Sequence, residues 1–196
     1  HHYRNSLGGV TYRSGDWFLK VVPSDIQPPL EAEVGRMQWA GGYLPVPPVR
    51  GKGITAGNAA WLLTRALTGD DASRSSMPAE QLVVKLGRAL RNFHDAAPVS
   101  SCPFSFRLDV ALELVAARVR QSVVVPSRDF HQEHAHLTAD EALALLTQTR
   151  PESEDLVVCH GDFCLPNVLF DEGEVSGYVD LGELGVADRW WDLAIA

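Results

Sequence analysis

The chain has 196 residues, 45% of them hydrophobic and 21% charged, and a formal net charge of −8 at pH 7. That length can bury a real core in one or two small domains, and the balance is ordinary for a globular protein. The acidic charge, with no Lys/Arg cluster to neutralise phosphates, argues against a nucleic-acid binder. No apolar run approaches the roughly 18 residues needed to cross a bilayer.

The N-terminus lacks a signal-peptide h-region, so the simplest location is the cytoplasm. Acidic balance is common there, and it also suits a cationic partner. Cys102, Cys159 and Cys164 are odd in number and match no zinc or disulfide spacing, which predicts reduced thiols.

In chain order, VTYRSGDWFLKVV reads as two strands around Ser14-Gly15-Asp16, with Thr11, Tyr12, Phe18, Leu19 and Val21 as β-type side chains. LEAEVGRMQWAGG follows as a helix, with Val34, Met37 and Ala40 at helical spacing and Gly41-Gly42 as its stop. LPVPPV is an extended, proline-stiffened connection, and AAWLLTRAL a buried strand before Gly69-Asp70-Asp71.

From Pro78 the pattern turns helical. PAEQLVVKLGRALRNFHDA places Leu82, Val83, Leu86, Leu90 and Phe93 on one face, and LDVALELVAARVRQSV is a second helix. TADEALALLTQTR is a third, opened by a Thr138 and Glu141 capping box. The expected fold class is α+β: a small β-rich N-terminal lobe, a linker near 65–71, and a mainly helical C-terminal lobe carrying one β-hairpin.

That hairpin holds the chemistry. LVVCH runs into a loop, NVLF is a short strand, DEG a tight turn in which Gly173 can take positive φ, and EVSGYVD the return strand. Pairing Phe170 with Glu174 puts Asn167 opposite Gly177 and Asp180 within about 10 Å of it. Asp162, Asn167 and Asp180 can therefore converge, and Asn167 and Asp180 offer the hard oxygens that Mg²⁺ prefers. An isolated His160-Gly161-Asp162 would more simply brace a turn. With all three in register, however, the spacing matches protein kinases, where the catalytic Asp precedes the metal-binding Asn by five positions.

VVCHGDFCLPNVLFDEGEVSGYVDLGELGVADRWWDLAIA resembles the aminoglycoside phosphotransferases, most closely the 3'-phosphotransferase (kanamycin kinase type) branch. The catalytic segment of that family has the form HGDxxxxN followed by D-x-G-x-x-G-x-A-D-[RK]-x-x-D. The likeness extends through TRPESEDLVVCH, Cys102 to Phe104, WLLTRALTG and LPVPPV, and so covers nearly the whole chain.

The resemblance implies a two-lobed protein-kinase-like fold, with residues 1–68 as nucleotide-binding lobe and hinge and residues 69–196 as catalytic lobe. It implies ATP as donor, Mg²⁺ as cofactor and an aminoglycoside antibiotic as acceptor, phosphorylated on a hydroxyl, the 3' one on the branch named, with resistance as the outcome. Asp162 would be the catalytic base, Asn167 and Asp180 the metal ligands, and His160 a loop support. Lys20 matches the phosphate-binding lysine and Glu33 its ion-pair partner, a generic surface lysine being the competing description. Ser6, Gly8 and Gly9 fall in the nucleotide-positioning loop, where a plain turn reads nearly as well. Phe18 would face adenine or belong to the core, and the backbone of Arg65 to Leu67 would meet the adenine edge. Asp129 and Glu133 lie in the segment matching the acidic substrate loop, or are simply solvated. Asp162 also touches substrate on this reading, Trp190 and Trp191 pack, and Asp192 braces the catalytic loop.

Three departures stand out. Glu183 replaces the family's usual Arg after D-x-G and reverses a charge beside the site. The chain begins at His1 with little room for a first strand, and it ends at Ala196 inside what should be a continuing helix. It is therefore expected to be truncated at both ends, to lack C-terminal substrate-binding helices, and to bind substrate poorly unless the natural protein is longer. The alternatives are a kinase of another small alcohol on the same fold and an inactive nucleotide-binding fragment. No residue suggests a protein, nucleic-acid or membrane partner.

Overall fold

The computed structural model describes residues 2–4, 9–25 and 29–196. β-branched and aromatic residues build an antiparallel hairpin from β2 (Val10–Ser14) and β3 (Trp17–Pro23). With β1 (His2–Arg4), β4 (Val49–Ile54) and β5 (Ala59–Arg65) it forms a five-stranded sheet in the order β1-β2-β3-β5-β4. The short first strand is thus present, and β4 is a strand that the sequence did not suggest. Between β3 and β4, α1 (Leu30–Ala40) buries Leu30, Val34, Met37 and Ala40 and packs on β4 and β5.

The chain then passes through β6 (Asp70–Asp71) into α2 (Ala79–Ala96), α3 (Leu108–Arg120), the short α4 (Pro126–Asp129) and α5 (Ala139–Gln148). Thr138 and Glu141 form the expected reciprocal cap. Along α2, Leu90 and Phe93 are buried, whereas Val83 is 67% exposed. Its placement on the inner face is corrected: one residue after Leu82 it is rotated by about 100° out of that stripe.

The last segment differs from a single hairpin. β7 (Leu156–Cys159) pairs antiparallel with β10 (Gly185–Asp188), so it frames the loop of residues 160–167 from outside the hairpin. The hairpin proper is β8 (Val168–Asp171) with β9 (Glu174–Tyr178), and β6 is added on its other edge. Its turn is the two residues Glu172 and Gly173, at φ 50° and 81°, so Asp171 faces Glu174. A bulge at Ser176 then pairs Leu169 with Gly177, which corrects the expected register. The extra residue sends the Ser176 hydroxyl to the Thr68 carbonyl at 2.7 Å.

One hydrophobic cluster runs from Val22 and Leu62 of the sheet through Val34 and Phe93 to Val158, Phe163, Leu181 and Leu184. It seats the loop after β7 and the loop after β9 on one core. α6 (Trp190–Leu193) follows β10. Trp191 stacks on Phe106 with ring centroids 6.0 Å apart, but Trp190 is 69% exposed, so the expectation that both pack holds for Trp191 alone. Cys102, Cys159 and Cys164 are free thiols.

Candidate active site

The loop between β7 and β8 is fixed from beneath. Asp192 is fully buried, and its two carboxylate oxygens accept the amides of His160 at 2.9 Å and Gly161 at 2.8 Å. One of those oxygens also meets His94 Nε2 at 2.8 Å. Buried amides without such partners would cost about 1–3 kcal/mol each. The same cluster includes Cys159, whose thiol is held protonated by burial and by the Asp192 charge.

His160 is committed on both ring nitrogens. Val179's carbonyl can only accept, so Nε2 donates to it at 3.0 Å, and Nδ1 accepts the Asp162 amide at 3.3 Å. Burial lowers its pKa, which keeps it in that neutral form. Gly161 takes φ +91°, and a Cβ there would lie 2.5 Å from the Glu183 carbonyl oxygen. The backbone is thereby turned so that half-buried Asp162 emerges from the core.

Asn167 ends the 3₁₀ turn that follows. Its Nδ2 donates at 2.9 Å to both the Asp162 carbonyl and Asp162 Oδ2. Oδ2 of the carboxylate is thus held by Asn167, and the Cys164 side chain hydrogen-bonds the same carboxylate. Val179 N–H donates to the Asn167 carbonyl at 3.0 Å, which sets Asp180 beside it. Asp180 adopts φ 59°, a left-handed conformation that Asp tolerates better than most residues and that concentrates at functional sites.

Lys20 of β3 completes the group. Its Nζ bonds Glu33 at 2.7 Å and Asp180 at 3.1 Å, and so ties the sheet and α1 to the end of β9. Desolvation works against its charge, but Glu33 and Asp180 outweigh that and raise its pKa. Glu33 is raised too, because its own desolvation exceeds the help from Lys20. Glu33, with 12% side-chain exposure, is the more deeply desolvated partner, so the pair fixes position more than it stabilises the fold.

The donor set fits a hard divalent cation. Asn167 spends its amide nitrogen on Asp162, leaving the amide oxygen as its ligand atom, and Asp180 has a side chain 52% exposed with Oδ2 beside the Lys20 contact. Carboxylate and amide oxygens with room for water and phosphate are what magnesium takes. Glu183 is open to solvent, yet partial desolvation of its carboxyl, then the charges of Asp162 and Asp180, raise its pKa; Arg36 opposes them.

Ser6 and Gly8 lie outside the described residues, and Gly9 is buried just before β2. Phe18 is half-buried on β3 with the Arg13 guanidinium 5.3 Å from its ring centre. The Arg65 amide donates to the Pro48 carbonyl and the Ala66 amide to the Asp16 carbonyl, so two of the three connector amides are already used. Leu67 packs toward Gly177. Asp129 is gripped by Arg128 at 2.6 and 2.8 Å and accepts the Val125 amide at 2.9 Å. Those bonds lower its pKa to about 2. Glu133 is exposed on a 3₁₀ turn.

His94 and Arg36 were missed. A histidine beside Phe93 on the buried end of an amphipathic helix, and an arginine three residues after Glu33, were the available signals.

The model of the phosphotransferase enzyme family matches residues 9–196. An aminoglycoside 3'-phosphotransferase of Niallia circulans is 38% identical, the match covering 94% of this chain and 70% of that protein. One from Streptomyces fradiae is 42% identical over 85% of this chain and 63% of its own length. The chain thus spans roughly two thirds of these relatives. An aminoglycoside 3'-phosphotransferase of type VIII superposes with TM-score 0.84 at 35% identity, covering 99% of this chain and 74% of that one. A Streptomyces rimosus aminoglycoside (3'') phosphotransferase gives 0.82 at 34%, covering 100% and 75%, and it has also been solved with ADP and streptomycin. Among the described residues no helix is long and apolar enough to cross a membrane. An Asp-Asn-Asp-Lys constellation on a kinase-like α+β frame and a family match over almost the whole sequence agree: the chain belongs to the phosphotransferase enzyme family, among the aminoglycoside phosphotransferases.

Proposed function

We propose that this protein transfers the γ-phosphoryl group of ATP to a hydroxyl of an aminoglycoside, the 3'-hydroxyl in the reading its relatives support most often, and so confers resistance. The observation that carries this reading is the pair of bonds from Asn167 Nδ2 to Asp162, which fixes that half-buried carboxylate in the same site as the Asp180–Lys20 pair. On this reading residues 1–68 form the nucleotide lobe and residues 69–196 the catalytic lobe, and the need for ATP places the reaction in the cytoplasm.

Asp162 orients the sugar hydroxyl and takes its proton as the new P–O bond forms and the bridging oxygen leaves with ADP. Lys20, steadied by Glu33, faces the phosphates as a point charge. Asn167 Oδ1 and Asp180 would hold magnesium, which when bound neutralises the phosphate oxygens. His160, with both nitrogens committed, takes no proton. Phe18, Gly9 and the Arg65–Leu67 connector are the assigned nucleotide contacts. Glu133 and Glu183 supply open carboxylates for the acceptor's ammonium groups, while Asp129 would have to release Arg128 to do so.

A second reading, transfer to a 3''-hydroxyl, is favoured by the comparable likeness to the Streptomyces rimosus (3'') enzyme. ATP turnover across aminoglycosides with and without a 3'-hydroxyl, and with streptomycin, separates the two. Equal rates on 3'-deoxy acceptors would sink the 3' assignment, and turnover on streptomycin alone would select the second reading.

A further inference from the structure

Helix α1 turns two charged residues toward the Asp180 segment. Glu33 acts through Lys20, and Arg36, three positions on, lies on the same helical face. Arg36 Nε donates to the Leu184 carbonyl at 2.8 Å. Its guanidinium lies over the rings of Phe104 and Phe106, 5.1 and 5.5 Å from their centres. Leu184 is fully buried, and its amide closes a turn onto the Leu181 carbonyl at 3.2 Å. The segment from Asp180 to Leu184 is therefore fastened at both ends, at Asp180 to Lys20 of β3, which in turn bonds Glu33 of α1, and at Leu184 to Arg36 of α1 directly. Glu183, inside that turn, adds a negative charge beside Asp162 and Asp180, and Arg36 is the cation that opposes it.

We propose that Arg36 is a positioning residue: by holding the turn from Asp180 to Leu184 against α1 and offsetting Glu183, it aims Asp180 at the cation bound with the nucleotide. The inference rests on Asp180 as a magnesium ligand. The guanidinium matters, because one delocalised, weakly hydrated cation donates to a buried carbonyl while sitting within 5.5 Å of two ring centres, a combination that suits arginine better than the compact, strongly hydrated ammonium of lysine.

The test compares wild type, Arg36→Met and Arg36→Lys by amide hydrogen exchange over 180–186 and by the magnesium concentration that half-saturates binding of a non-hydrolysable ATP analogue. Arg36→Met should speed exchange in 180–186 while leaving α2 and α3 unchanged. It should also raise the magnesium requirement about tenfold, the loss expected for one charged hydrogen bond. Glu183→Gln added to Arg36→Met should recover part of that loss. Arg36→Lys should keep the charge-dependent part but not the exchange protection. Unchanged exchange and magnesium requirement in Arg36→Met would overturn the proposal, as would faster exchange spread evenly over the chain. If wild type bound the analogue without magnesium, the metal assignment would fail, while exchange alone would still decide whether Arg36 fastens the turn.

Discussion

Replacing Asp192 tests how the loop that carries Asp162 is held. Asp192→Ala removes the acceptor for the His160 and Gly161 amides and for His94, all at 2.8 to 2.9 Å in a site with no solvent exposure. A hydrogen bond to a charged group is worth about 1.5–3 kcal/mol, so the two amides alone account for about 3–6 kcal/mol. Whole domains are stable by about 5–15 kcal/mol, so the variant should be marginal. Asp192→Asn keeps one acceptor oxygen and should lose about half as much. Urea unfolding followed by tryptophan fluorescence, extrapolated linearly, measures both. Turnover should fall as well, since Asp162 directly follows the tethered Gly161 and a small misplacement of a reacting group costs about 10²-fold. An Asp192→Ala variant within about 0.5 kcal/mol of wild type would refute the bracing argument, because no surface-like substitution could then be distinguished from it.

Glu183→Gln should change the pH dependence of stability. The folded carboxyl holds its proton to higher pH than the unfolded one, so ionising it destabilises the fold as pH rises above about 4.5. The Gln variant should melt higher than wild type at pH 7 and match it near pH 4; an equal difference at both would contradict this. Gly161→Ala and Gly173→Ala form a matched pair, both at positive φ, but only at Gly161 would the new Cβ strike the Glu183 carbonyl. Gly173→Ala should cost about 1–2 kcal/mol of backbone strain, and Gly161→Ala distinctly more with loss of turnover. Equal melting temperatures would mean that the close approach is unimportant.

Local features were legible and distant pairings were not. The five-residue step from Asp162 to Asn167 and the cap at Thr138 are short-range patterns set by loop and helix geometry, and both appear where expected. β4 was hidden because VRGKGI reads as a loop, yet Gly51 and Gly53 are small there because Trp61 lies against them. The β7–β10 pair joins segments 26 or more residues apart through GVAD, too short to show a period. The bulge at Ser176 has no local signature: its hydroxyl donates to the carbonyl of Thr68, 108 residues away in sequence. His94 likewise gains its meaning only when the chain's end brings Asp192 to it.

The most direct test of the central claim is the turnover of Asp162→Asn with ATP and an aminoglycoside, measured beside its affinity for magnesium and ATP. Asp162 as proton acceptor predicts a fall in kcat of about 10²- to 10⁴-fold with nucleotide binding little changed. Turnover at the wild-type rate in that variant would contradict it.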